Sequence, residues 1–484
     1  MQSSRSWRLP TDAKIVRMPS RRALVFLTLL TAGTSLLAAP RAPVDLVLTG
    51  GTVVTVNERH EVLAPGAVAI RGSDIVAVGT PGDIRRRYRA ARVLDVAGRV
   101  VMPGLVNTHT HAPMVMYRGL ADDLPLMEWL ERYIFPAEAR TVAPAFVAVG
   151  TRLAALEMIR SGTTTYADMY YFEEEIARAT KAAGLRGVLG QTIIGFPAPD
   201  AKSPDEALAR TRQFIAAWKD DPLVTPAVAP HSMYLLDERQ LLACRDLAIA
   251  EGVPLLLHLA ETEDEVRTAR ERHQASPTAF LERINFWAPV TVAAHAVWMS
   301  ADDVAIVSRR GVGVSHNPES NMKLASGTAP VASYLAAQVP LGLGTDGAAS
   351  NNDLDMFEAM RQAALLHKLI TRDPRALPAQ TALEMATRGG ARVLGLEKQI
   401  GSLEPGKRAD LVVVGMRRAR QTPMYDPVSH LVYVTRGDDV ETVIVHGKVI
   451  MRDGRVLTLD EEAVLADARR LAGEVRAAVG GASR

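Results

Sequence analysis

One pattern constrains this chain more than any other. Between about residues 100 and 346, short apolar runs alternate with helix-like segments. The runs are VVMPGLVNTHTH, GTTTYADM, RGVLGQT, LVTPAVAPH, VPLLLHLAE, VTVAAH, VGVSHN and VPLGLGTD, each followed by a stretch such as PAFVAVGTRLAALEMIRSG. Eight strand-helix units of this kind predict an α/β fold built on a (β/α)8 TIM barrel. The polar residues support it. Six of the runs end in His or Asp: His109 and His111, Asp168, His231, His258, His295 and Asp346, and VGVSHN adds His316. Barrel enzymes build their active sites at the strand C-termini, so a site is expected there.

The flanks read differently. Residues 43–100 contain DLVLTGGTVVTVNE, GAVAIRGSDIVAVG and ARVLDVAGRVVMPG, short β-branched runs broken by turns that suggest antiparallel sheet. The texture returns over residues 405–457 in RADLVVVG and VETVIVHGKVIMRDGRVL, where Asp453-Gly454 is a hairpin-turn pair. One small β-sandwich made from both ends, around a barrel at residues 101–404, is the expected arrangement. Residues 458–484 read as a closing helix and tail. Residues 1–42 read as a signal peptide or N-terminal anchor. There Ser20-Arg21-Arg22 precedes an uncharged apolar stretch, residues 23–39, ending in small residues. That stretch is shorter than the roughly 20 apolar residues of a membrane span, and its paired arginines resemble a twin-arginine signal. Export to the periplasm or cell envelope is expected, with a membrane contact only if the segment stays uncleaved. An unused signal would leave the protein cytoplasmic.

Composition narrows the chemistry. Lys and Arg number 56 against 54 Asp and Glu, so nucleic acid is not an expected partner. A single cysteine, Cys244, excludes an intramolecular disulfide and a thiolate zinc site. Any metal must rest on His and carboxylates. His109-Thr110-His111 puts two imidazoles at i and i+2 of an extended segment, on one face. With His258 and Asp346 at two further strand ends, the donors suit one divalent ion such as Zn2+. No Lys lies in LVTPAVAPH to bridge a second metal. Glu261, three residues beyond His258, is placed to shuttle protons if it stays off the metal; as an isolated residue it also suits a helix start. His295 is a candidate water-orienting group or a fifth ligand. His60, His273, His367, His430 and His446 show no convergent partner and read as structural or surface residues.

PGLVNTHTHAPM, HLAETEDEV, AAHAVW, SHNPESNMKLASG and GTDGAASNNDLDMFEAMR, in that order, resemble the amidohydrolase superfamily. Within it they look like the branch of S-adenosylhomocysteine/5′-methylthioadenosine deaminases and triazine chlorohydrolases. The resemblance runs from about Asp45 to Leu457 and includes GSLEPGKRADLVVV of the split sandwich. It implies one divalent metal, usually zinc, on His109, His111, His258 and Asp346. It also implies proton shuttling by Glu261, polarisation by His295, and a second proton-handling role for Asp346. Glu138 would meet the ribose hydroxyls, His231 would reach the substrate, and Trp129 would form an aromatic wall. Without the resemblance, Glu138 reads as a solvated acid and Trp129 as core. One departure stands out: where relatives carry an arginine for the homocysteine carboxylate, this chain has Gln191, with only Lys202 in the following loop. An amide lacks the charged fork that suits a carboxylate.

The expected activity is hydrolytic deamination of an adenine nucleoside: 5′-methylthioadenosine, S-adenosylhomocysteine, adenosine or 5′-deoxyadenosine. The alternative is hydrolysis of another heteroaromatic or cyclic amide, such as guanine, a pterin or a chlorotriazine. A non-catalytic exported binding protein is the rival class, disfavoured by the complete ligand set. The resemblance further implies a homo-oligomer.

Overall fold

The structure, a computed structural model, describes residues 41–479, so the signal-like segment lies outside it. Eight parallel strands form the central sheet in sequential order: β1 (Leu105–Thr110), β2 (Thr163–Tyr170), β3 (Arg186–Ile193), β4 (Val224–Pro230), β5 (Leu255–Leu259), β6 (Thr291–His295), β7 (Gly313–His316) and β8 (Leu341–Leu343). Every neighbouring pair is parallel, as helical crossovers require. Between β8 and β1 the closure runs through side chains as well as backbone. The Thr108 hydroxyl donates to Leu343 O at 2.9 Å, Thr345 N donates to Asn107 Oδ1 at 3.1 Å, and Asp346 N donates to His109 O at 3.0 Å. Gly344 makes this approach possible, since a Cβ there would lie 2.4 Å from Asn317 Oδ1 and 3.0 Å from His109 N. The barrel interior at the strand starts is filled by Val106, Val188, Leu256 and Val292, with Val393 and Leu394 in the same apolar cluster. The base is therefore packed.

The run VVMPGLVNTHTH divides. Arg99–Pro103 pairs antiparallel with Leu411–Gly415, so it belongs to the sandwich, and the barrel begins at Leu105 rather than residue 101. The sandwich has a four-stranded sheet from the N-terminal region alone and a seven-stranded sheet that mixes both regions. Pure antiparallel pairing does not hold. Ala42–Thr49 runs parallel to Tyr88–Asp95, and Thr52–Val54 runs parallel to Arg99–Pro103. Leu48, Val68 and Ile70 pack against Val101, Leu411 and Ile444 to form the core. Asp453 and Gly454, both at positive φ, turn the hairpin between Lys448–Arg452 and Arg455–Val456. The closing helix, Glu461–Val479, buries Val464, Ala468, Leu471 and Val475, one apolar stripe at helical spacing. Arg152 to Asp467 (3.0 Å) and Arg160 to Glu461 (2.8 Å) tie it to helix Pro144–Arg160. Among the described residues, no single helix is long and apolar enough to cross a membrane.

Candidate active site

The strand ends bring His109, His111, His258 and Asp346 together. His109 ends β1 beside Asp346, and the alternation of an extended chain turns His111 to the same side. Their rings meet edge-on at 4.8 Å. Two carbonyls fix the tautomers of the neighbouring imidazoles. His111 Nδ1 donates to Met169 O at 2.6 Å, and His258 Nδ1 donates to His231 O at 2.9 Å. Each leaves an Nε2 lone pair facing inward. Those two Nε2 atoms are 3.3 Å apart, and Asp346 Oδ1 lies 3.4 Å from both His109 Nε2 and His111 Nε2.

Spacings of 3.3–3.4 Å are those at which neighbouring donors would converge on one small divalent cation, so His109, His111, His258 and Asp346 are the residues that would hold it. His109 Nε2 is also buried without a hydrogen-bond partner, which suits a metal ligand. Burial drives His109 down to about 4 and His258 well below the ordinary imidazole range, so both are neutral. Burial opposes ionisation of Asp346, but the histidine cluster around it, in which His295 is itself raised by Glu261 and Asp346, holds its carboxyl well below the usual value.

The surroundings brace this cluster. Asp346 Oδ2 accepts from Ser320 Oγ at 2.7 Å and Ser350 Oγ at 3.0 Å, and Oδ1 accepts from Gly347 N at 2.7 Å. His295 Nδ1 donates to Asn321 Oδ1 at 2.9 Å, turning Nε2 toward Glu261 Oε2 (3.7 Å) and Asp346 Oδ2 (3.9 Å). Glu261 Oε1 receives Ser326 Oγ at 3.3 Å. Burial raises the Glu261 pKa, partly offset by His295. Burial alone would lower His295, yet Glu261 and Asp346 raise it. The Glu265 carboxylate caps the backbone N–H groups of Ala260 and Glu261 at 2.9 and 2.8 Å. Ala260, His295, Ala296 and Asp346 all have positive φ, a strained choice for residues with a Cβ. Strain of this kind collects where side-chain aim matters more than backbone ease.

Around the donors opens a cavity lined by Met114, Trp129, Ile134, Phe135, Glu138, Tyr170, Thr192, His231 and Tyr234, with Glu261 and His295 at its base. Trp129 is both buried and part of the wall. Glu138 is not a solvated acid: it is 5% exposed and accepts from the Tyr170 hydroxyl at 2.7 Å. The His231 ring lies 4.5 Å from that of His258, tilted by 33°, and burial lowers its pKa to about 3. Gln191 faces away from the cavity and donates to Asp200 at 2.8 Å, while Thr192 takes the place on the wall; Lys202 is exposed. Asp168 accepts from Thr110 and Ala112, bracing the segment that carries His111. His316 is not part of the site but lies 3.1 Å from His367, which therefore does have a partner. The sequence reading missed Ser320, Asn321, Ser326, Glu265 and Tyr170. The serines and Asn321 lie within SHNPESNMKLASG, whose polar density was the available signal.

Residues 100–450 match the amidohydrolase family, the span that carries the barrel and these donors. The chain belongs to that family. It is 48% identical over 432 residues to a 5-methylthioadenosine/S-adenosylhomocysteine deaminase of Syntrophobacter fumaroxidans, covering 89% of this chain and 98% of the relative. It is 44% identical over 437 residues to a 5′-deoxyadenosine deaminase of Methanosarcina mazei, covering 90% and 99%. An adenosine deaminase from Xanthomonas campestris, crystallised with bound zinc, superposes with a TM-score of 0.89 at 41% identity over 90% of this chain and 100% of that one. As an amidohydrolase with this donor cluster, the protein is a metal-dependent hydrolase.

Proposed function

We propose that this amidohydrolase deaminates adenine nucleosides with one zinc ion held by His109, His111, His258 and Asp346. The carrying observation is that one cavity joins the donor cluster and Glu261 to a buried carboxylate, Glu138, on its wall. An apolar pocket with a few fixed polar groups suits a purine base, and a carboxylate suits a vicinal diol. The names of the relatives and the zinc in the Xanthomonas enzyme support the reading.

A divalent cation bound there acts as a Lewis acid and makes water nucleophilic near neutral pH. Glu261 is the proton shuttle, taking a proton from the attacking water and delivering it to the ring nitrogen beside the amine-bearing carbon. The new C–O bond forms at that carbon. Asp346 accepts the second water proton and returns it to the amine, the C–N bond breaks, and ammonia leaves. His295, aimed by Asn321, holds the oxygen that develops negative charge. Glu138 accepts from the ribose hydroxyls, His231 meets the base, and Trp129 walls the pocket.

Among the described residues no Lys or Arg lines the cavity, so a charged homocysteine carboxylate finds no partner. The preferred 5′ groups are therefore uncharged: methylthio, hydrogen or hydroxyl. Export through residues 23–39 and homo-oligomerisation belong to the same proposal, checked by cell fractionation and light scattering. The direct test is ammonia release from a panel of adenine nucleosides, guanine, pterins and chlorotriazines. Conversion of adenine to hypoxanthine nucleosides is expected; activity confined to another ring would overturn the nucleoside assignment.

A further inference from the structure

The cavity wall beside the donor cluster holds a buried polar pair, Glu138 and Tyr170. Glu138 sits on helix Phe135–Thr141 among Trp129, Leu130 and Ile134, and Tyr170 closes β2. The Tyr170 hydroxyl donates to Glu138 Oε1 at 2.7 Å. Among the described residues no donor reaches Oε2, yet Glu138 lines the cavity. One oxygen is thus occupied by the protein and the other is left for a ligand. Tyr170 is itself fixed: it is buried at 3% exposure, and its ring packs 4.9 Å from that of Tyr171 and 6.5 Å from that of His111. A single fixed donor on a carboxylate removes its freedom to rotate and sets the direction of the second oxygen.

We infer that Tyr170 is a positioning residue that aims Glu138 at the sugar hydroxyls, so that preference for ribose over deoxygenated sugars depends on this tyrosine. The inference rests on Glu138 being the sugar-binding group proposed above. Charge and burial agree with it. Burial pushes Glu138 up to about 7, and the Tyr170 hydrogen bond works in the opposite sense by favouring the carboxylate. The other titratable groups facing Glu138 are the hydroxyls of Tyr117 and Tyr171, and Tyr117 is engaged with Thr141 at 2.6 Å. Across the cavity stand His111 and His231. Without Tyr170, Glu138 would keep its proton to higher pH and lose its fixed direction.

The test uses the full zinc-loaded enzyme with adenosine and 2′,3′-dideoxyadenosine. For Tyr170→Phe, KM for adenosine should rise roughly 5- to 20-fold with kcat changed less than about threefold, the scale of one charge-assisted hydrogen bond. The dideoxy substrate should be almost unaffected. The acid limb of 1/KM for adenosine should also move to higher pH in the variant. An equal loss on both substrates, or a fall in kcat alone, would overturn the inference. Glu138→Gln separates the two levels of the proposal. If it raises the adenosine KM while Tyr170→Phe does not, only the role of Tyr170 falls; if it leaves KM unchanged, the sugar assignment falls with it. Should Tyr170→Phe fail to fold, 3-fluorotyrosine incorporated throughout the chain replaces it. The more acidic phenol keeps the ring packing and strengthens the hydrogen bond, so the acid limb for adenosine should move to lower pH while the dideoxy profile stays put. Unchanged profiles on both substrates would overturn the inference.

Discussion

At the scale of single residues, Glu261 and Glu138 are both buried acids, but their settings give them different work. Glu261 faces His295 across 3.7 Å and can exchange a proton with whatever lies between them. Glu261→Gln keeps the shape and loses the proton, so kcat should fall by about 10²-fold or more while bound zinc, measured by elemental analysis, stays unchanged. Glu138 carries a cost instead. Its pKa is about 7 against an ordinary 4.5, so the folded state holds the proton more tightly than the unfolded chain. For an acid shifted upward, stability is lost as pH rises through the window between those two values. Glu138→Gln should therefore stabilise the protein at pH 8 by about 1–3 kcal/mol and give little at pH 4.5, as read from denaturant unfolding at the two pH values. The site gives up that stability to keep an acceptor in an apolar wall.

At the scale of elements, the segment after β7 organises the site without touching the metal donors' imidazoles. Helix Pro318–Lys323 carries Ser320 and Asn321, and the turn beyond it carries Ser326; these reach Asp346, His295 and Glu261 respectively. Asn321→Ala frees the His295 ring, and kcat should drop roughly tenfold or more with KM and zinc content held, as measured by steady-state kinetics. This division explains what could be read in advance. His109, His111, His258 and Asp346 were legible because each sits at the end of an apolar run, where barrel topology alone converges them. Ser320, Asn321 and Ser326 were not, since their roles arise from how a loop folds back over neighbouring strand ends. The run at residues 100–111 misled for a related reason. Two strands of different sheets are joined there by Gly104 alone, and hydrophobic pattern does not mark the change of partner.

At the scale of the whole molecule, barrel and sandwich are joined by a buried ion pair. Arg186, at the start of β3, meets Asp410 at 2.9 Å, with side chains 4% and 1% exposed. Asp410 also accepts from His446 N on the sandwich side. Removing one partner leaves a buried, uncompensated charge, so Arg186→Met should cost about 3–5 kcal/mol in unfolding experiments while turnover of the folded fraction is retained. The pair lies at the strand starts, away from the chemistry, so stability and catalysis should separate.

The claim that organises all three scales is that one metal, held by His109, His111, His258 and Asp346, serves nucleoside deamination. Titrating metal-free protein with zinc while following ammonia from 5′-methylthioadenosine tests it most directly. Activity should rise linearly and break at one ion per chain, with the inosine analogue as product. No ammonia at any zinc level, or a break at two ions, would contradict it.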